Sequence, residues 1–299
     1  MSTPNNSIPI VKPQTRTETP TFPVNTPTQS VNVSSSEVPV NKPAESKYPS
    51  ETIELPSQGY FYDVNSPLSS GKLQLRYMTA KDEDILLSEN LIKKGTVLDE
   101  LMKSLIVTPG VNLDDLLLLD KNAIHIYARK LAYGNEYKAK VKCPKCGEEN
   151  EVLFDLDTVV NKEFDFSPYV KGSNSFDYQL PFSKKNITYK FLTHKDDASI
   201  QNEIKQFSQN IKTKVSPEIT TRLKYMILSV EGNTDRNYIK KFVDTELIAR
   251  DSSALREHIR TNSPEIDFKF NFTCTYCGHE ERLNIPITTD FYWPSSTNS

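Results

Sequence analysis

Cys143-Pro144-Lys145-Cys146-Gly147 and Cys274-Thr275-Tyr276-Cys277-Gly278 contain all four cysteines of the chain. Two sulfurs separated by two residues can reach the same metal ion. Two such pairs complete a tetrahedral thiolate site of the kind that holds structural zinc. The glycine after each pair tolerates the positive-φ turn that aims backbone N–H groups at sulfur. One C-x-x-C is weak evidence. Two, each followed by Gly and flanked by strand-like runs, make Cys143, Cys146, Cys274 and Cys277 the candidate ligands of one zinc ion. Reduced thiols without metal and a redox-active pair are the other readings. A redox C-x-x-C usually opens a helix after a buried strand, whereas both pairs here lie between strands. The obstacle is spacing: 127 residues separate Cys146 from Cys274, against about 15–20 in common zinc ribbons.

The elements that must position these thiols resolve the spacing. Tyr137, Ala139 and Val141 alternate with lysines into the first knuckle, and Val152, Phe154 and Leu156 alternate beyond it. Upstream, Asp120 is placed to cap a helix with Ile124, Tyr127, Ala128 and Leu131 on one face. At a constant offset of 131, Asp120 falls on Asp251, Arg129 on Arg260, Tyr137, Ala139 and Val141 on three phenylalanines, and the first cysteine pair on the second. Earlier still, Leu73, Leu75 and Tyr77 mark a half-buried strand before Thr79, an N-cap followed by acids. Ile187, Tyr189, Phe191 and Thr193 repeat that pattern, and Leu180-Pro181 repeats Leu55-Pro56. This order of matches implies an internal duplication. Each copy ends in strand–knuckle–strand and supplies two ligands, and one zinc near an approximate twofold axis would join the copies. Structural zinc contributes roughly 10–16 kcal/mol in zinc-finger peptides, ample to clamp two modest domains.

The remaining helices are read from local signals. A helix from Thr79 runs to about Lys94, where Gly95 ends it, and a second covers Val97–Val107. Ser216-Pro217-Glu218 opens a helix reaching through Leu223, Ile227 and Val230, and another stretch runs from Asn237 to Ile248. Residues 158–175 read as a connector.

Composition bounds the rest. Of 299 residues, 36% are hydrophobic, the net charge is -3, the mean hydropathy is -0.53 and the pI is near 5.9. Part of the chain therefore lies outside any core, and no dedicated polyanion partner is implied. Nine of the nineteen prolines fall in the first fifty residues, with no glycine among them. Such a segment cannot bury enough surface to offset its ordering entropy. No stretch approaches the ~18 apolar residues of a membrane span, and no secretion signal is expected.

Other candidate residues carry less. Lys138, Lys140 and Lys142 form a basic row on the outward face of the first ribbon strand. The row is a solvated face or a partner contact, and only one lysine recurs at the matching positions of the second copy. Phe291, Tyr292 and Trp293, which include the sole tryptophan, either pack on the ribbon or anchor in a partner's pocket. His125, His194, His258 and His279 read as ordinary surface or cap histidines; His279 follows a knuckle but is surplus to four cysteines. No nucleophile elbow, Walker loop, H-E-x-x-H or G-x-G-x-x-G is present. The acids Asp82 to Asp84 and Asp114-Asp115 read as helix-start charges.

Leu55-Pro56-Ser57, Gly59-Tyr60, the Thr79 helix, the Asp120 helix, the two knuckles and Phe291 to Pro294 together resemble the baseplate hub proteins of T-even-like contractile-tailed bacteriophages. The resemblance covers about residues 50–295. It implies a non-enzymatic structural or assembly role at the tail baseplate of the virion, built in the host cytoplasm, with other hub and tail proteins as partners. The expected fold is α+β: a disordered tail (1–48), a first repeat (49–160), a linker (161–175), a second repeat (176–290) and an aromatic C-terminal tail (291–299), the repeats joined by a four-cysteine zinc ribbon. The alternative function is a zinc-ribbon nucleic-acid-associated factor. Net acidity and loss of the lysine row in the second copy count against it.

Overall fold

The computed structural model describes residues 48–210, 216–287 and 289–292. The expected N-terminal tail falls, apart from Tyr48, outside the described residues, and so does Trp293.

Alternation of Leu73 and Leu75 with Lys72, Gln74 and Arg76 produces a strand with one buried face. This strand, β2 (Lys72–Arg76), pairs antiparallel with β1 (Ser50–Glu54), and Ile53 lies opposite Leu73. The connection between them folds back on itself. A Cβ on Gly59 would sit 2.4 Å from the Ser69 carbonyl oxygen, so only glycine allows this approach. The turn holds Phe61 and Tyr62 in the core.

Thr79 then starts α1 (Ala80–Leu86) with a capping box to Asp82. The helix expected to reach Lys94 is broken: Ser88 adopts an extended conformation and a second helix, α2 (Glu89–Lys94), begins. The break turns α2 so that Leu91 packs against a core. Next come α3 (Val97–Leu105), a short 3-10 turn at Leu113–Asp115 and the long α4 (Leu118–Tyr133). Helix α4 starts two residues before Asp120. Asp120 is therefore not its N-cap but lies inside the first turn.

The first hairpin follows, β3 (Glu136–Lys142) with β4 (Glu149–Asp155), and then the short β5 (Val160–Asn161). Residues 161–175 do more than link. Phe164, Phe166 and Tyr169 surround Phe61, with the Tyr169 ring centroid 5.5 Å away, and Phe61 also meets Phe176 and Phe191 at 5.3 and 5.1 Å.

Beyond them β6 (Phe176–Gln179) and β7 (Asn186–Tyr189) pair, and α5 (His194–Asn210) and α6 (Glu218–Met226) follow. Ile227–Val230, expected to continue the helix, forms strand β8 and completes the three-stranded sheet β6-β7-β8. Fully buried Ile227 and Val230 find cross-strand partners on β7, and that pairing overrides the helical periodicity. The chain then makes α7 (Arg236–Lys241), a π turn at Phe242–Glu246, α8 (Ala249–Thr261), β9 (Ile266–Asp267) and the second hairpin, β10 (Lys269–Thr273) with β11 (Glu280–Asn284). A 3-10 turn covers Thr289–Tyr292.

Burial is organised in two cores, and both draw on residues before and after the connector. One joins Leu55, Leu75 and Ile124 to Tyr189, Ile227 and Leu255. The other joins Leu101, Ile126 and Phe154 to Phe272, Ile285 and Tyr292. Backbone pairing crosses as well: Leu118 N–H donates to the Leu192 carbonyl at 3.0 Å, His194 N–H to the Leu116 carbonyl at 2.7 Å, and β5 pairs with β9. The two parts share their hydrophobic cores. A metal between the two parts would therefore add to a shared interior rather than act alone.

Candidate metal centre

Each cysteine pair sits at the tip of a two-stranded hairpin, and the two tips are built alike. Cys143 N–H donates to the Glu148 carbonyl at 2.8 Å and Gly147 N–H to the Cys143 carbonyl at 2.9 Å. In the second tip Cys274 N–H donates to the His279 carbonyl and Gly278 N–H to the Cys274 carbonyl, both at 2.9 Å. Gly147 and Gly278 have φ of 79° and 67°, the left-handed turn expected of them.

Below the tips the strands pack together. Phe154 of β4 meets Phe270 of β10 with centroids 4.6 Å apart, and Val141 and Phe272 are buried in the same core. This packing brings the tips face to face. Cys143 Sγ lies 3.8 Å from Cys277 Sγ, and Cys146 Sγ 3.6 Å from Cys274 Sγ. All four sulfurs fall within 4.8 Å of one another. A tetrahedral ion with metal–sulfur bonds near ~2.3 Å has sulfur–sulfur edges of about 3.8 Å, so the set fits one thiophilic ion. Cys143 and Cys274 are buried while Cys146 and Cys277 are exposed. One ion would therefore sit at the rim of the core.

A residue not singled out from sequence ties the tips together. Asn150, on β4 and buried, accepts hydrogen bonds from Thr275 N–H and Thr275 Oγ1, both at 2.8 Å. Its amide donates to Cys274 Sγ at 3.6 Å and to the Glu148 carbonyl at 3.2 Å. Burial disfavours the Cys274 thiolate, but N–H groups of Cys277 and Tyr276 and the Asn150 amide outweigh it and hold the thiol near about 6. Cys146 moves the other way, to about 12: the Glu148 amide favours its thiolate, but burial and the neighbouring sulfurs prevail. An amide just beyond a knuckle is the only sequence signal for Asn150, and residue 281 at the matching position is glutamate.

The other candidates scatter. Lys138, Lys140 and Lys142 do lie exposed in one row on β3, and Lys140 and Lys142 stand opposite Glu151 and Glu149 of β4. Phe291 and Tyr292 are fully buried in the chain's own second core, so of the two readings the packing one describes them and the partner anchor does not. Tyr292 Oη lies 2.6 Å from Nδ1 of His125, and Phe291 packs edge-on against Tyr137. His125 is itself buried, and desolvation, aided by Lys121, pulls its pKa down to about 3. His194 neighbours Asp99 and Lys121, His258 stacks on Tyr178, and His279 reaches Glu281 at 3.2 Å rather than the sulfurs.

A buried polar cluster lies apart from the thiols. Asp120 accepts from Ser57 N–H at 2.9 Å, Ser57 Oγ at 2.7 Å and Tyr62 Oη at 2.6 Å. Burial pushes its carboxyl up to about 6 in spite of these donors. Asp251, at the same place in α8, accepts from Phe182 N–H and Ser183 N–H, each at 2.9 Å. No sequence signal joined Ser57 to Asp120, 63 positions away.

The features described so far define a mixed helix–sheet protein in which, among the described residues, the one concentrated set of metal-ligand side chains is the four-cysteine cluster at the tips of two hairpins. Residues 59–293 match the family described as T4 bacteriophage base plate protein, and the chain belongs to that family. No curated protein and no solved structure matches it. Membership makes it a structural protein of the phage tail baseplate, with other tail proteins as its class of partner. Among the described residues no helix is long and apolar enough to cross a membrane.

Proposed function

We propose that the chain is a structural or assembly component of the baseplate hub, put together in the host cytoplasm, in which one zinc ion joins two copies of a duplicated unit. The observation that carries this reading is the convergence of four sulfurs from hairpins 131 positions apart in sequence. Four thiolates at that spacing favour zinc or another soft ion over oxygen-seeking cations. A structural role suits a site with all four positions filled by protein, because a catalytic zinc keeps one open.

Hydrogen bonding supports the duplication beyond the sequence matches. Thr79 N–H and Oγ1 donate to Asp82, and Thr193 N–H and Oγ1 donate to Asp196. Arg76 pairs with Asp82 at 2.7 Å, and Lys190 pairs with Asp196 at 2.6 Å. Leu75 bridges Ile106 as Tyr189 pairs with Ile227. The N–H two residues after Leu55 reaches Asp120, and that two residues after Leu180 reaches Asp251. In this reading the chain performs no chemistry of its own. The glutamates facing the lysine row give no support to a nucleic-acid role.

Complementation tests the proposal. Phage lacking this chain should fail to build tails, and wild-type protein should restore them while Cys146→Ser with Cys277→Ser should not. Complete tails formed with that variant would sink the structural role of the centre. Mass spectrometry of purified tails separates a virion component, which is retained, from an assembly factor, which is not.

A further inference from the structure

Helices α6 and α8 bound an open groove of about 300 Å³, lined on its apolar side by Ile219, Met226 and Ile259 and on its rim by Arg222 and Arg256. Under the proposed duplication α6 matches α3 and α8 matches α4. Ile219, Arg222 and Met226 then correspond to Leu98, Leu101 and Leu105, while Arg256 and Ile259 correspond to His125 and Ala128. The first set is not open. Leu101, Leu105 and Ala128 are buried in the second core together with Phe291 and Tyr292, and His125 holds the Tyr292 hydroxyl. Among the described residues, α4 of this pair is thus held against the chain's own aromatic segment in one copy, while the α6–α8 groove stays open in the other.

The substitutions between the two sets say what the bare groove would accept. Ile219, half exposed, with Met226 and Ile259 keeps the apolar floor. A buried leucine and a buried histidine are each replaced by arginine. Arg222 is engaged by Asp197 at 3.1 Å and Glu218 at 3.4 Å. Arg256 is exposed and among the described residues has no ion pair; its Nε reaches only the Ser252 carbonyl at 3.3 Å. An apolar slot with an uncompensated guanidinium at its edge matches an aromatic side chain beside a carboxylate, since arginine both pairs with carboxylates and stacks on rings.

We propose that the α6–α8 groove is a socket for a partner protein's acidic–aromatic segment, the chemistry that Asp290-Phe291-Tyr292 carries in this chain's own sequence. The proposal rests on the duplication reading, because that reading identifies the groove as the counterpart of a filled site. A labelled peptide of residues 286–299 serves as the probe, titrated onto the full zinc-loaded chain by fluorescence anisotropy. Binding should weaken about tenfold in Ile219→Glu, whose exposed side chain makes the change tolerable to the fold, and several-fold in Arg256→Glu. Binding unaffected by both changes would show the peptide displacing the chain's own C-terminal segment at His125 and would overturn the socket. Absence of binding by a chain that still holds one zinc overturns the socket while leaving the duplication and the metal centre standing. Dimers of the chain that dissociate in Ile219→Glu would assign the groove to a second copy and overturn the partner proposed here.

Discussion

Asp120 and Asp251 are both fully buried and do the same backbone task, but beneath turns of opposite exposure. Each lies in the first turn of a long helix and takes the N–H two residues after a leucine in a Leu-Pro turn. Asp120 does so beneath Ser57 and Tyr62, both buried, with no ion pair among the described residues, and its carboxyl is pushed up to about 6 by burial. Asp251 does so beneath exposed Phe182 and Ser183. Its desolvation is outweighed by their N–H groups and by nearby Lys184, and its pKa is lowered. A shared fold position therefore does not fix an electrostatic role. In the N-terminal part the turn lies in the core, while in the C-terminal part it lies at the surface.

The largest test of this contrast is deletion of each carboxylate. Asp120→Ala leaves three buried donors without an acceptor and should cost about 3–5 kcal/mol in denaturant unfolding. Asp251→Ala leaves two N–H groups near solvent and should cost about 1 kcal/mol. Equal losses would erase the distinction.

Titration sharpens it. Because the folded pKa of Asp120 lies above its unfolded value, its contribution to stability is fully present below about pH 4. That contribution is lost as pH rises through about 6, a decline of roughly 3 kcal/mol. The difference between wild type and Asp120→Asn should therefore change across that window. Asp251, lowered in the fold, has the reverse sign: its contribution is present at neutral pH and fades as acid protonates it. A flat difference profile for Asp120→Asn would show that the site does not exclude water as its burial indicates.

The two hairpins differ in the same manner. Asn150 of the first reaches across to Thr275 and Cys274, whereas Glu281 at the matching place is exposed and meets His279. Asn150→Ala should weaken metal affinity about 10-fold or more, as loss of a ligand-orienting partner does, and Glu281→Ala should leave it within about twofold. The smallest effect belongs to the lysine row. Lys138→Ala with Lys140→Ala should alter stability by less than about 0.5 kcal/mol, because exposed cross-strand charges contribute little.

The cysteine cluster was legible because C-x-x-C spacing and the alternating runs on either side of each pair are local signals of a hairpin tip. Strand β8 was not, since four apolar residues after a helix fit either period until β7 supplies partners. Asp120 resembled an N-cap because its donors lie some sixty positions upstream in a turn that only Gly59 and Gly71 allow. Phe291 and Tyr292 looked like a tail because their burial depends on His125, 167 positions away. Sharing of both cores was equally hidden, as hydrophobic periodicity marks a buried face without naming what covers it.

Metal content per chain tests the shared centre most directly. Elemental analysis of purified protein should return one zinc per chain, and none in either Cys143→Ser with Cys146→Ser or Cys274→Ser with Cys277→Ser. Two zinc ions per chain, or full zinc retained by either double variant, would contradict a single ion held between the two hairpins.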